Sequence, residues 1–155
     1  MRKSNFKLKY ELAALVLCNN IYKKPTALTI MDGNHVSLYP INKKISSLSS
    51  VKHTPFRKFS NLSNMLSYYK KVKMNKSLIR KIKSNILNHF SQEININLKK
   101  LYIRDITIAP KAKLLNDIGD TRETLFIKNN KIISILCGKL DAAPIVWHNI
   151  KKYFT

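Results

Sequence analysis

LYIRDITIAPKAKLLNDIGDTRETLFIKNNKIISILCGKLDAAPIVWHNIKKYF, residues 101–154, holds the best-formed strand signals of this 155-residue chain, its best-capped helix and most of its acidic residues. It reads as strand, loop, hairpin and helix. In Leu101–Ile108, Leu101 and Ile103 fall on one face and Tyr102, Ile106 and Ile108 on the other, the pattern of a strand buried on both sides. Asp105 is then a carboxylate inside or at the edge of an apolar sheet. Ala109-Pro110 should stop the strand, because proline has no amide hydrogen for the ladder. Glu123–Lys128 and Lys131–Cys137 are two β-rich runs joined by Asn129-Asn130, residues that tolerate the positive φ of a two-residue turn. Past Gly138, Asp141 is placed to cap a helix with Pro144 in its first turn. Ile145, Val146, Ile150 and Phe154 form the inner face of that helix, and His148, Lys151 and Lys152 can face water.

Working upstream, Leu8–Cys18 (LKYELAALVLC) is rich in Leu and Ala and is long enough for a mostly buried helix of about three turns. Ala27–Met31 and Asn34–Tyr39 flank Asp32-Gly33, the clearest hairpin signal of the chain, since Asp-Gly suits a type I′ turn. Ile41–Phe59 is dominated by Ser, Lys and isolated apolar residues and reads as a long loop or flap. Ser60 can cap a helix carrying Leu62, Met65, Leu66 and Tyr69. Ser77 can cap a second, with a stripe of Ile79, Ile82, Ile86 and Phe90. Ile94–Leu98 alternates and can begin the strand that leads into Leu101. The fold class expected is α+β (mixed α/β), one domain over residues 1–155, with a largely antiparallel sheet flanked by helices.

The totals narrow the function classes. Lys and Arg number 29 against 8 Asp and Glu, a formal charge of +21. Such a surface attracts polyanions or acidic proteins over a Debye length of about 10 Å at 0.1 M salt. The longest apolar run, Leu12–Cys18, is far short of the roughly 20 residues of a bilayer span, so no transmembrane segment and a soluble, cytoplasmic protein are expected. Cys18 and Cys137 lie in apolar runs far apart, which suggests buried free thiols, not a metal pair or a disulfide. Three glycines leave little for a phosphate-cradling loop, and no Ser-His-Asp or His-Glu-x-x-His pattern is present.

Four histidines, His35, His53, His89 and His148, can supply a general base, for which a pKa near 6.5 suits neutral pH. His35, just beyond the Asp32-Gly33 turn, and His53, in the long loop, stand where sites tend to collect. The basic runs Lys70-Lys71-Val72-Lys73 and Arg80-Lys81-Ile82-Lys83 can track phosphates, with Tyr68 and Tyr69 available to stack on bases.

The C-terminal third resembles the toxin-activating lysine acyltransferases that fatty-acylate bacterial pore-forming toxins, together with their relatives in microcin gene clusters. Asp105–Pro110, DITIAP, is similar to the family's aspartate followed shortly by Ile-Ala-Pro, here at an interval one residue longer. Lys131–Tyr153, with Gly138-Lys139-Leu140-Asp141 between strand and final helix, resembles the family's closing strand, Gly-Lys-Ile-Asp turn and helix. The resemblance implies an acetyltransferase-like fold and an enzyme that takes an acyl group from acyl carrier protein and places it on a toxin or microcin precursor. No tightly bound cofactor is implied; acyl-loaded acyl carrier protein is the co-substrate. The acidity of that carrier would give a basic docking surface a purpose.

The family's catalytic pair is a histidine near the N-terminal helix and the aspartate of the central strand. Asp105 occupies the second position. Asn19–Pro25, NNIYKKP, has no histidine for the first, which leaves His35 as the candidate base and room for a second maturation subunit that completes the site. The rival reading is a small basic RNA-binding protein of ribosomal type, in which the charge neutralises phosphates and no residue does chemistry.

Overall fold

Strand β1, Leu8–Asn19, is the element to which the rest of the main sheet is registered. The computed structural model describes residues 6–31, 35–94, 101–116, 124–136 and 142–154. The helix expected over residues 8–18 is therefore a strand. Leu and Ala favour helix, but propensity is a weak prior, and an apolar run buried on both faces lacks the alternation that would have marked it as β. Leu12, Ala13, Ala14, Val16 and Cys18 are all buried; Ala14, Val16 and Cys18 enter the main core.

The segment expected as a long loop supplies two strands, β4 (Ile45–Ser50) and β5 (Pro55–Phe59). Both run antiparallel to β1 in succession, β4 with Val16 opposite Leu48 and Asn19 opposite Ile45, β5 with Tyr10 opposite Phe59. The turn Val51–Thr54 separates them, and the register shifts between Leu12 and Ala13. Serine is a poor strand marker, yet β4 alternates strictly, with Ser46, Leu48 and Ser50 all buried. The Ser46 hydroxyl donates to Asn20 Oδ1 at 2.6 Å, which satisfies it away from water.

The hairpin strands are β2 (Leu28–Ile30) and β3 (Val36–Pro40), paired Leu28 with Leu38 and Ile30 with Val36. The Asp32-Gly33 turn lies outside the described residues. Strand β3 pairs with β4, so the order is β2-β3-β4-β1-β5, and a later strand, β6 (Ile103–Leu114), pairs with β1. Strand β6 continues through Ala109-Pro110, where the strand was expected to stop. Among the described residues β6 pairs with β1 alone, and an edge strand accommodates a residue with no amide hydrogen to donate. Nor is it buried on both sides: Leu101 and Ile108 are buried, whereas Tyr102, Arg104, Asp105 and Thr107 are exposed.

Two helices, α1 (Leu62–Met74) and α2 (Lys76–Ile94), pack on one another and on the sheet, α1 on β5 and α2 on β3 and β4. Their caps are asparagines and not the serines expected. Asn61 Oδ1 accepts from the Asn64 amide at 2.8 Å. Asn75 joins the helices, since its amide donates to the Val72 carbonyl at 2.9 Å and its side chain accepts from the Leu78 amide at 2.9 Å. The expected stripe of α2 is present, with Ile82, Ile86 and Phe90 buried beside Val36, Leu38 and Leu48. On α1 it is Met65 and Val72 that are buried, and Leu66 is exposed. The strand proposed over Ile94–Leu98 falls outside the described residues apart from Ile94, which ends α2.

Residues 10–111 form one compact unit; residues 1–9 and 112–155 form another. The latter contains the hairpin of β7 (Leu125–Asn129) and β8 (Ile132–Leu136) and the helix α3 (Ala143–Ile150), which runs into a 3-10 turn at Lys151–Tyr153. Asn129 pairs with Ile132, so the two turn residues are Asn130 and Lys131, one position later than expected; Asn130 carries the positive φ of 54°. Asp141 and Cys137 lie outside the described residues. The inner face expected for α3 is not covered: Val146 and Ile150 are half-buried, and Ile145 and Phe154 are exposed. The chain as a whole is mixed α+β with antiparallel pairing, as its sequence pattern indicates.

Phe90 is fully buried at the centre of the core, so Phe90→Ala should lower unfolding free energy by about 3–5 kcal/mol in urea titration. Leu66→Ala, on an exposed position, should change it by no more than about 0.5 kcal/mol.

Candidate functional site

Asp105 is an exposed residue of β6. Its Oδ1 accepts from the Ile106 amide at 2.7 Å, a local bond that turns the carboxylate along its own strand. Arg104 does not neutralise it, because the guanidinium Nε donates to Asn19 Oδ1 at 2.6 Å. No described imidazole bonds to Asp105. His35 lies just before β3, half-buried, and its carbonyl accepts from the Val51 amide at 2.9 Å. Asp105 is on β6 and His35 precedes β3, and no hydrogen bond joins their side chains among the described residues.

What the structure does bring together is a polar cluster that sequence reading missed. Ser50, at the end of β4, is fully buried, and its Oγ is 2.9 Å from Nδ1 of the buried His89 on α2. The Ser50 oxygen also accepts from the His53 amide at 3.2 Å. Whether Ser50 Oγ or His89 Nδ1 carries the shared hydrogen is set by the imidazole tautomer. The other ring nitrogen, Nε2, faces Glu93 Oε1 at 3.4 Å without a hydrogen bond. Thr54 closes the turn, with its hydroxyl oxygen accepting from the Ser50 amide at 2.9 Å and its amide donating to the Ser50 carbonyl at 2.7 Å. The His53 ring meets His89 edge-on, centroids 5.6 Å apart. The only signal available in sequence was the pair of histidines, since Ser50 lay in an apparent loop.

Serine, histidine and glutamate in a row are the residue types of a nucleophilic relay, but this row is not arranged as one. The serine has no exposed surface. The cluster pins the Val51–Thr54 turn to α2. Burial, then the neighbouring His89, then Lys52 hold the His53 pKa below the usual histidine value. The other buried reactive group, Cys18, is also quiet: burial pushes its thiol up to about 11, so it is not a nucleophile at neutral pH.

The outer surface is of a different character. No carboxylate stands between Asp32 and Glu93. Within that stretch Arg57, Lys58, Lys70, Lys71, Lys73, Lys76, Arg80 and Lys81 are all exposed, and none meets a carboxylate among the described residues. The aromatic residues of α1 are not free to stack on bases, contrary to expectation. Tyr68 packs against Phe59 at 5.5 Å under the Arg57 guanidinium at 5.1 Å, and Tyr69 donates its hydroxyl to the Ile108 carbonyl at 3.0 Å with Lys73 Nζ 4.4 Å above its ring. These rings anchor α1 and hold cations at the surface.

No protein-family model matches the sequence, and no curated protein matches it. The acyltransferase resemblance therefore stands on its short motifs.

Ser50→Ala strands the His89 ring nitrogen and the His53 amide, and should cost about 1–3 kcal/mol in urea unfolding. A His53 pKa lowered by folding means that the unfolded chain takes up the proton first. Stability is then complete above about pH 6.5, the unfolded value, and falls as pH drops from there through the lower folded value. Thermal unfolding between pH about 8 and 5 should reveal that arm, and His53→Gln should flatten it; an unchanged slope would show that His53 does not carry it.

Proposed function

We propose that this protein binds nucleic acid, holding the phosphate backbone on the cationic sides of α1 and α2 that are turned away from the core. The observation that carries the reading is the exposed series Lys70, Lys71, Lys73, Lys76, Arg80 and Lys81, with no carboxylate in either helix before Glu93. Each such cation that meets a phosphate releases condensed counterions, so affinity is gained without base contacts. Tyr68 and Tyr69 are occupied by the fold, which favours recognition of backbone and not of sequence on this face.

Transfer of an acyl group from acyl carrier protein to a toxin or microcin precursor would need a base and a carboxylate gathered where a thioester can sit. No hydrogen bond joins Asp105 and His35 among the described residues, and the exposed cations of α1 and α2 favour the backbone-binding reading. A cytoplasmic location is the natural setting for either.

Binding of a labelled RNA hairpin, followed by fluorescence anisotropy over a salt series, should weaken linearly in log–log form with a slope of several units. Replacing Lys70, Lys71, Arg80 and Lys81 by Gln should reduce that slope by roughly one unit per lysine or arginine that contacts phosphate. Asp105→Ala should leave binding unchanged. Absence of binding at low salt, together with capture of acyl carrier protein that Asp105→Ala abolishes, would overturn the proposal.

A further inference from the structure

The second unit holds an open cleft of about 470 Å³ lined by Lys128, Asn130, Lys131, Ile133, Tyr153 and Phe154. Its volume lies within the range of clefts that take small ligands or single residues of a polymer. Among the described residues the lining has two ammonium groups and no carboxylate, a charge that suits an anion. It also contains two rings whose situations differ. Tyr153 is already covered, with Lys128 Nζ 4.1 Å from its centroid and Lys152 Nζ at 5.4 Å. Phe154 is 71% exposed, a large apolar ring at the cleft that meets no other ring or cation among the described residues.

These contacts divide the work. Tyr153 draws the Lys128 ammonium over its face and fixes a positive charge at the cleft wall. Lys131 stands next to Asn130, whose positive φ of 54° forms the tight β7–β8 turn and keeps the two lysines on either side of it. Phe154 offers an unoccupied π-face. An anion with no flat apolar part would leave Phe154 wetted, and an uncharged ring would leave the lysines without a partner. A phosphate joined to an unpaired base satisfies both.

We infer that this cleft is a stacking site for one nucleotide of a single strand, its base on Phe154 and its phosphate between Lys128 and Lys131. The inference rests on the nucleic-acid reading proposed above and adds to it a preference for unpaired nucleotides. The helical face of the other unit, whose rings are occupied, does not supply that preference. A base inside a duplex cannot use the site, because both of its faces are already stacked.

The test compares the full chain with its Phe154→Ala and Phe154→Trp variants, each titrated with an oligouridine of about 12 nucleotides, an RNA duplex of the same length and free uridine monophosphate. Phe154 is exposed, so neither substitution should disturb folding, which circular dichroism checks. Phe154→Ala should weaken oligouridine binding about tenfold or more and leave duplex binding unchanged; Phe154→Trp should restore it. Equal affinity of wild type and Phe154→Ala for oligouridine, with a normal salt slope, would overturn the stacking site and leave the backbone reading standing. Loss of all three ligands already in the wild-type chain would remove the backbone reading and this inference with it. Tight binding of free uridine monophosphate that competes with the oligouridine would overturn the strand assignment in favour of a mononucleotide site.

Discussion

The chain cannot leave the backbone of Leu12–Cys18 at a solvated edge, and that constraint shapes the main sheet. An apolar strand buried on its faces must also find hydrogen-bond partners on its edges, because an unsatisfied buried amide costs about as much as a lost hydrogen bond. Strands β4 and β5 follow one another as its antiparallel partners, and β6 pairs with it as well. The remaining hairpin extends the sheet from β4, and the core is completed by Val72 of α1 and by Ile82, Ile86 and Phe90 of α2. An Ala14 or Val16 turned to water would forfeit the burial that drives the assembly.

The same arrangement explains why polar residues sit where apolar ones would be expected. Ser46 and Ser50 flank Leu48 on the buried side of β4, and α2 packs against this strand. Small side chains let the helix approach, and each hydroxyl has a partner, Asn20 for Ser46 and His89 for Ser50. The Val51–Thr54 turn, which breaks the run of strand along β1, is then held by that second pair. A buried polar group that is satisfied specifies one geometry, because any displacement of the turn would leave His89 or Ser50 without its partner.

Legibility in the sequence followed the physics of each segment. The stripe of α2, the β2–β3 pairing and the β7–β8 pairing were readable because their patterns are local: a helical period in the first, alternating runs around turn residues in the others. Strand β1 was not, since its apolar positions fall on both faces and its Leu and Ala content imitates a buried helix. Strand β4 was hidden by serines that earn no place in a strand until the partner atoms on Asn20 and His89 are known. Asp105 was expected inside or at the edge of an apolar sheet; among the described residues β6 pairs with β1 alone, which is the edge alternative, and Tyr102, Arg104 and Thr107 are exposed with Asp105. Periodicity counts apolar residues, but it does not report which of two faces another layer covers.

Charge and fold meet on α1. The aromatic residues that would have been the natural base-stacking platform of the helical face are consumed in holding the helix down, Tyr69 by the Ile108 carbonyl and Tyr68 by Phe59. What remains on that face is cation without a free ring, and a face of that kind discriminates by charge density and hardly by base identity. Self-repulsion among these exposed lysines and arginines disfavours the compact state, most strongly at low salt. A polyanion that binds the folded chain more tightly than the unfolded one relieves that repulsion and stabilises the fold by an amount that grows with its concentration relative to its Kd. The scarcity of carboxylates is thus a liability for the isolated protein and would be an advantage in a complex with a polyanion, and the two effects have one electrostatic origin.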